Sequence, residues 1–266
     1  MTYRLLALLH LLALAASGAE SGLQTAIREA IADGTRDIVL PLGSMTVREP
    51  LIIDAAQELR LIGQDAENVA LIAHPDLANR PMLVLRGGSG VRLERITFRG
   101  HAAATGPLVE IEGSDRAVIT RCFFETHGGP GLRITDSTAT QVRENSLRDL
   151  DLGVDLTGST ADATVENNHL ARCRVGLQIG SDTRNGNLRG NELRHCATAI
   201  QPPTAALPDA NAIEPPPTEA QRLKHPAPGS NGSATDPARD ATGKTLEHPP
   251  PPTGAPKPQP ETPPQR

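Results

Sequence analysis

The sequence predicts an all-β solenoid, and three observations lead to this prediction. Apolar residues and asparagines recur every 23 residues, as the alignment of Val142, Val165 and Leu188 shows. Each repeat contains short alternating segments separated by turn residues, and no helical period occurs after residue 34. A 23-residue unit is too short for a strand–helix–strand crossover, but it suits one coil of three short strands.

The chain divides into three predicted parts. Residues 1–19 combine one positive charge, an apolar run and a small-residue end. This pattern predicts a cleaved signal peptide, a periplasmic or secreted protein, and no membrane span after cleavage. Residues 202–266 hold 18 of the 24 prolines and few large apolar side chains, which predicts a disordered Pro-rich tail. The solenoid is therefore expected within residues 20–201.

Two apolar columns define the expected coils. Reading backwards from the 23-residue steps aligns Val118 and Phe123 with Val142 and Leu147 at a spacing of 24, and Leu93 with Val118 at 25. The coils are thus expected to run at 25, 24, 23 and 23 residues, with one longer turn over 63–81. The second column is carried by LVEI (108–111), GLRI (131–134), GVDL (153–156), GLQI (176–179) and TAI (198–200).

Asn145, Asn168 and Asn191 stand at the same position of three successive repeats. Stacked coils bring equivalent residues to about 4.8 Å from one another. An inward-facing asparagine at a buried bend can satisfy backbone groups above and below it and can bond the next amide. The three asparagines are therefore predicted to form a structural ladder rather than a ligand site.

The coil GVRLERITFRG (90–100) and the opening segment 23–53 resemble the right-handed parallel β-helix of the pectin-lyase-like superfamily. The resemblance implies about seven coils and an N-terminal helix that caps the open end of the core. Ser21 with Gln24 is expected to form a capping box, and Gly34 to end the helix. The predicted apolar face of this helix is Leu23, Ala26, Ile27, Ala30 and Ile31.

A group of aspartates in RDLDLGVDL (148–156) could serve either chemistry or stability. The repeat places each one opposite an arginine of a neighbouring coil, which favours cross-strand ion pairs. The expected pairs are Asp149 with Arg172, Asp151 with Arg174, and Arg133 with Asp155. The competing interpretation takes Arg133, Asp151, Asp155, Arg172 and Arg174 as catalytic groups, with calcium as a cofactor only in that case.

The cysteines and histidines give weaker indications of a functional site. Cys173 and Cys196 share an inward column one coil apart, so they are expected either to form a disulfide or to fill the core as thiols. Cys122 is expected on an outward column. His169 and His195 lie on different columns, so no metal site and no cofactor are predicted.

The expected function is binding rather than catalysis. The globular part has no lysine, tryptophan or tyrosine, and the motifs of galacturonan hydrolases are absent from it. A net charge of −5 does not indicate the basic surface that nucleic-acid binding requires. The leading interpretation is a non-catalytic rod that binds a linear polysaccharide or an envelope component. The alternatives are a polysaccharide lyase, hydrolase or epimerase, and an assembly factor for a periplasmic enzyme.

Overall fold

The computed structural model describes residues 19–202 and 211–216, which form a parallel β-helix behind one α-helix. The predicted leader, except for Ala19, and most of the predicted tail lie outside the described residues. The elements in chain order are α1 (Ala19–Asp33), β1 (Asp37–Leu40), β2 (Gly43–Val47), β3 (Leu51–Asp54), β4 (Arg60–Gly63), β5 (Val69–Ala73), β6 (Leu83–Arg86), β7 (Arg92–Glu94), β8 (Thr97–Arg99), β9 (Val109–Glu112), β10 (Val118–Thr120), β11 (Phe123–Thr135), β12 (Gln141–Arg143), β13 (Ser146–Thr157), β14 (Thr164–Glu166), β15 (His169–Ala171), β16 (Val175–Ile179), β17 (Asn187–Arg189), β18 (Glu192–Arg194), β19 (Thr198–Gln201) and β20 (Ala212–Glu214).

Every strand pairs in parallel with its counterpart one coil away, which produces three faces along the solenoid. The first face is β1-β4-β7-β10-β12-β14-β17, so the described chain completes seven coils. The second face is β2-β5-β8-β11-β13-β15-β18-β20, and the third is β3-β6-β9-β11-β13-β16-β19. Strands β11 and β13 are long enough to contribute to both the second and third faces. The predicted fold class is confirmed.

Helix α1 covers the N-terminal end of the core, as predicted. Leu23 and Ile27 are buried, and Gly34 follows the helix with a φ of +67°, a conformation that glycine adopts without strain. The predicted capping box is wrong, because α1 begins at Ala19 and Ser21 lies inside it. The Gln24 side chain instead bonds both backbone groups of Ile52 in β3, at 3.0 and 2.7 Å.

The register from β7 to β12 differs from the predicted one by a single residue. Ile119, not Val118, pairs with Val142, and Leu93 pairs with Ile119. These coils are therefore 26 and 23 residues long. A slip of one residue exchanges the two faces of a strand, so Phe124 rather than Phe123 lies in the core.

The same slip explains the wrong placement of Cys122. This residue is fully buried, and its backbone N–H donates to Asn145 Oδ1 at 2.9 Å. It therefore occupies the asparagine column rather than an outward one. Segment 63–81 is likewise more than a turn, since β5 lies inside it.

The asparagine column is a continuous hydrogen-bonded ladder. Asn145 and Asn168 each donate through Nδ2 to the Oδ1 of the next asparagine at 3.0 Å. That same Oδ1 also accepts the backbone N–H of the residue below. Asn191 continues the pattern to Asn211 at 2.9 Å. Asn211 precedes β20, so residues 211–216 of the predicted tail add a further rung to the second face.

Among residues 19–202 and 211–216, no helix has the length and hydropathy needed to cross a membrane.

We expect Asn168→Ala to lower the free energy of unfolding by about 2–4 kcal/mol, because it removes the acceptor of the buried Asn145 N–H and of the Asn145 side-chain amide. Urea unfolding measures the change. The matched control is Asn68→Ala, whose exposed side chain bonds only Asp65 in the described structure, and this variant should lose less than about 0.5 kcal/mol. Equal losses in the two variants would contradict a structural role for the ladder.

Candidate functional site

An apolar column follows the line where the second face turns into the third. Pro130 pairs with Leu152, Leu152 with Val175, and Val175 with Thr198. Leu152 and Val175 are 5% and 1% exposed, yet neither belongs to the contiguous hydrophobic core. Ala70 is another buried apolar strand residue that lies outside that core. Its sequence neighbours point inward, and alternation along a strand therefore turns Ala70 outward.

The next residue in three of these coils is glycine. An added Cβ at each of these glycines would collide with a methyl group of a core leucine. The contacts are Gly131 with Leu150 Cδ1 at 2.7 Å, Gly153 with Leu170 Cδ2 at 2.7 Å, and Gly176 with Leu193 Cδ2 at 2.6 Å. The glycines therefore lie against the core, and the column of Pro130, Leu152, Val175 and Thr198 lies beside them, with Leu152 and Val175 outside the contiguous core. We call this four-residue column and its polar flanks the elbow.

The flank on the third face is a polar column in which Glu110, Arg133, Asp155 and Gln178 are paired in succession. Arg133 Nε donates to Asp155 Oδ2 at 3.0 Å, as predicted. Asp155 is only 4% exposed, and its Oδ1 lacks a hydrogen-bond partner among the described residues. A buried carboxylate oxygen without a donor is costly, so Asp155 is the least satisfied member of this column.

The flank on the second face contains the two other predicted ion pairs. Arg172 holds Asp149 through two hydrogen bonds of 2.6 Å, and Arg174 holds Asp151 at 2.6 and 2.9 Å. Hydrogen bonds from the arginines lower the pKa of both aspartates, and the same bonds raise the pKa of Arg172 and Arg174. All four groups therefore stay charged near neutral pH and are poorly suited to exchange protons.

Glu125 is a buried carboxylate held between arginines of the coils on both sides. Arg99 Nε donates to Oε1 at 2.7 Å, and Arg148 Nε donates to Oε2 at 2.9 Å. Burial by itself raises the pKa of Glu125, but the bonds from Arg148 and Arg99 outweigh it, and the net pKa is lowered. The sequence reasoning did not select this residue, although the 23-residue step from Glu125 to Arg148 could have revealed the pair.

His127 is a second buried group that sequence reasoning missed. Its Nε2 lies 2.5 Å from the Gly106 carbonyl and must carry the hydrogen, because a carbonyl only accepts. Nδ1 has no partner in the described structure and sits against Gly100, where an added Cβ would lie 2.1 Å away. Burial lowers the pKa of His127. The glycines of THGGPG (126–131) allow the loop around residues 102–106 to pack this closely.

The remaining candidates do not converge on one site. His169 Nδ1 contacts Glu192 Oε2 at 2.8 Å on the second face, whereas His195 contacts the Pro215 carbonyl at a turn. Within the described ranges, no group of three or more histidine, cysteine or acidic residues could hold a metal ion. On the first face, Glu166 pairs with Arg189 in the same inter-coil manner, so such pairs are not confined to the elbow.

Comparison with known proteins agrees with this architecture. The family model for the right handed beta helix region matches residues 82–202. The described part of the chain thus has the right-handed parallel β-helix fold. The viral protein Geobacillus virus E2 ORF18 has the same fold, with a TM-score of 0.53 at 13% identity over 68% of this chain. The β-helix chain spans only 39% of the length of that viral protein. No curated protein sequence matches the chain.

Two more distant solved structures also align with this β-helix. One is a putative glycosyl hydrolase from Parabacteroides merdae, with a TM-score of 0.45 at 10% identity, covering 74% of this chain and 92% of the other. The other is a pectin methylesterase in complex with a hexasaccharide, with a TM-score of 0.35 at 10% identity, covering 79% and 93%. The right-handed β-helix fold expected from the sequence is confirmed by the family match over residues 82–202.

His127 should make the stability of the β-helix depend on pH below neutrality. Because the folded-state pKa lies under the ordinary value of about 6.5, the unfolded chain takes up the proton first. Stability is therefore complete above about pH 6.5 and falls as the pH drops below it. Urea unfolding between about pH 5 and 8 should show a flatter profile for His127→Gln. His169→Gln is the control, and a flattening of the same size there would refute this assignment.

Proposed function

We propose that this β-helix protein is a non-catalytic binder of an extended polymer, and that the polymer lies along the elbow. The single observation behind the proposal is the repetition of the elbow from coil to coil. A linear polysaccharide, free or as a component of the cell envelope, is the partner that this surface suits best.

Repetition supports a polymeric ligand because the coils advance by about 4.8 Å, close to the length of one sugar ring in an extended chain. Each coil then presents a polar side chain to one sugar unit. Arg133, Asp155 and Gln178 follow one another on the third face. Guanidinium, carboxylate and amide groups between them offer both donors and acceptors for hydroxyl groups.

The apolar column adds little contact area of its own, because Leu152 and Val175 are 5% and 1% exposed. It lies between the two polar flanks and holds them apart. The described coils contain no tryptophan or tyrosine, so a saccharide would be held by hydrogen bonds over several units rather than by one stacking platform. Such a surface favours long chains over short ones, since each unit adds a small contribution.

Binding without catalysis is favoured by the state of the ionisable groups. Asp149 and Asp151 have pKa values lowered by their arginine partners. A general acid must hold a proton at the working pH, and a basic catalyst must release one. Groups locked in bidentate pairs do neither, so the arrangement stabilises the coils and leaves the polymer intact.

An enzyme acting on polysaccharide is the second candidate, and Asp155 is the observation that favours it. Its unpartnered Oδ1 is the one carboxylate oxygen of the described, buried side chains without a hydrogen bond. In that case Asp155 would act beside Arg133, with Arg174 and Asp151 across the elbow and with calcium as a candidate cofactor.

A binding and turnover assay separates the two candidates. The full chain is titrated with neutral and uronate polymers, with and without calcium, while new reducing ends and the ultraviolet absorbance of unsaturated products are followed. We expect binding without product. Arg174→Ala and Asp155→Asn should each weaken binding about 10-fold, the effect of losing roughly one hydrogen bond.

The control for this assay is Arg189→Ala, which removes an exposed inter-coil arginine of the same type from the first face. It should bind like the unaltered chain. Product that disappears in Asp155→Asn would overturn the non-catalytic proposal in favour of the enzyme. Equal weakening by Arg189→Ala would move the binding surface away from the elbow.

We also propose that the protein is exported to the periplasm or beyond, on the evidence of the charged and apolar pattern of residues 1–19. The chain expressed in a Gram-negative host should lose this segment and fractionate outside the cytoplasm. Intact-mass analysis of the recovered protein gives the new N-terminus. Recovery of the uncleaved chain from the cytoplasm alone would refute export.

A further inference from the structure

Cys173 and Cys196 stand directly opposite each other on the last two complete coils. The pairs Ala171–Arg194 and Val175–Thr198 flank them in register, and the Ala197 N–H donates to the Cys173 carbonyl at 3.0 Å. Adjacent parallel strands hold such positions about 4.8 Å apart, within the range of roughly 4.4–6.8 Å that disulfides span between Cα atoms.

Both side chains point into the same core and meet there. Cys173 is 2% and Cys196 4% exposed, and both are free thiols in the structure. Contact with the Cys196 thiol and burial raise the pKa of Cys173, while contact with Cys173 lowers the pKa of Cys196. Of the two residues, Cys196 lies on the coil nearer the C-terminal end of the described solenoid.

We propose that Cys173 and Cys196 are a site of oxidative modification, at which a disulfide joins the two last complete coils of the solenoid. The proposal rests on the register and burial of the two residues and is independent of the elbow and its ligand.

The reaction requires an oxidised dithiol protein as co-reactant, the class of oxidant that acts in export compartments. The Cys196 thiolate attacks one sulfur of the partner's disulfide, which forms a mixed disulfide and releases one partner thiolate. The Cys173 thiolate then attacks the Cys196 sulfur of the mixed disulfide and releases the second partner thiolate. The two protons lost by the cysteines end on the reduced partner, so atoms and electrons balance.

The crosslink lies at the end of the solenoid that is expected to open first. The last described strand of the first face is β17, so this end of the solenoid relies on fewer coil-to-coil contacts than its middle. Opening of the terminal coil is the expected first step of unfolding, and it also exposes both thiols to the oxidant. A bond across a 23-residue loop closes the coil and restricts that opening.

Cys122 provides the internal comparison. It is buried as deeply as the other two, but its inter-coil partner in the asparagine column is Asn145. No second thiol lies within one coil of Cys122, so we expect it to stay reduced.

The experiment uses the full chain, exposed to an oxidised dithiol protein and then denatured without a reductant in the presence of a thiol-alkylating reagent. We expect one labelled cysteine, Cys122, in place of three, and digestion without reduction should yield one peptide pair that links Cys173 to Cys196. The oxidised form should melt about 5–10 °C higher than the reduced form.

Two cysteine variants test which residues form the crosslink. Cys122→Ala should still form the crosslink and show the full melting shift, whereas Cys196→Ala should abolish both. Because a single alanine variant could fail to fold, the unaltered chain alone also decides the question. Three labelled cysteines after oxidation, or a disulfide that includes Cys122, would overturn the proposal whatever the polymer assay shows.

Discussion

Parallel pairing of each coil with the next, at one constant register, is the constraint on which the rest of this structure depends. Each coil must bend three times, and a bend in the interior would strand backbone N–H and carbonyl groups. The column Cys122, Asn145, Asn168, Asn191 and Asn211 lies at one such bend, where each asparagine amide bonds backbone groups of the preceding coil. Asn145, Asn168 and Asn191 also donate to the next amide of the column. The register cannot shift without breaking this ladder. The other columns of equivalent residues therefore have the same coil-to-coil spacing.

This constant coil-to-coil spacing determines which side chains are neighbours on the surface as well as in the core. Outward residues of successive coils become neighbours, and like charges placed there would repel. Opposite charges occupy many of these positions instead, as Asp151 and Arg174 do. Pairing with arginine lowers the pKa of Asp149 and Asp151 and so removes their capacity for proton transfer. Asp155 differs because its second oxygen is buried and has no hydrogen-bond partner among the described residues.

Several features of the site could be predicted from the 23-residue period. The pairs of Asp149, Asp151 and Asp155 with arginines follow from counting, because stacked coils turn sequence spacing into contact. Counting failed where the coil length changes to 26 residues, and the slip moved Cys122 and Phe123 to the wrong faces. Glu125 and His127 lie beside that irregular region, where a loop packs over the strand, and their burial does not follow from the local sequence.

The sequence by itself determined the fold class and the ladder, because both depend on a pattern repeated often enough to outweigh local exceptions. It also determined the capping helix, through the spacing of the apolar residues. Tertiary structure alone decided which buried strand residues lie outside the contiguous core. Leu152 and Val175 read as ordinary strand residues, yet the glycines beside them lie against the core leucines, and both residues lie outside that core. It also decided that the two thiols of Cys173 and Cys196 meet, since contact between side chains depends on direction as well as spacing. Periodicity specifies which residues are neighbours, and only packing specifies which way they face.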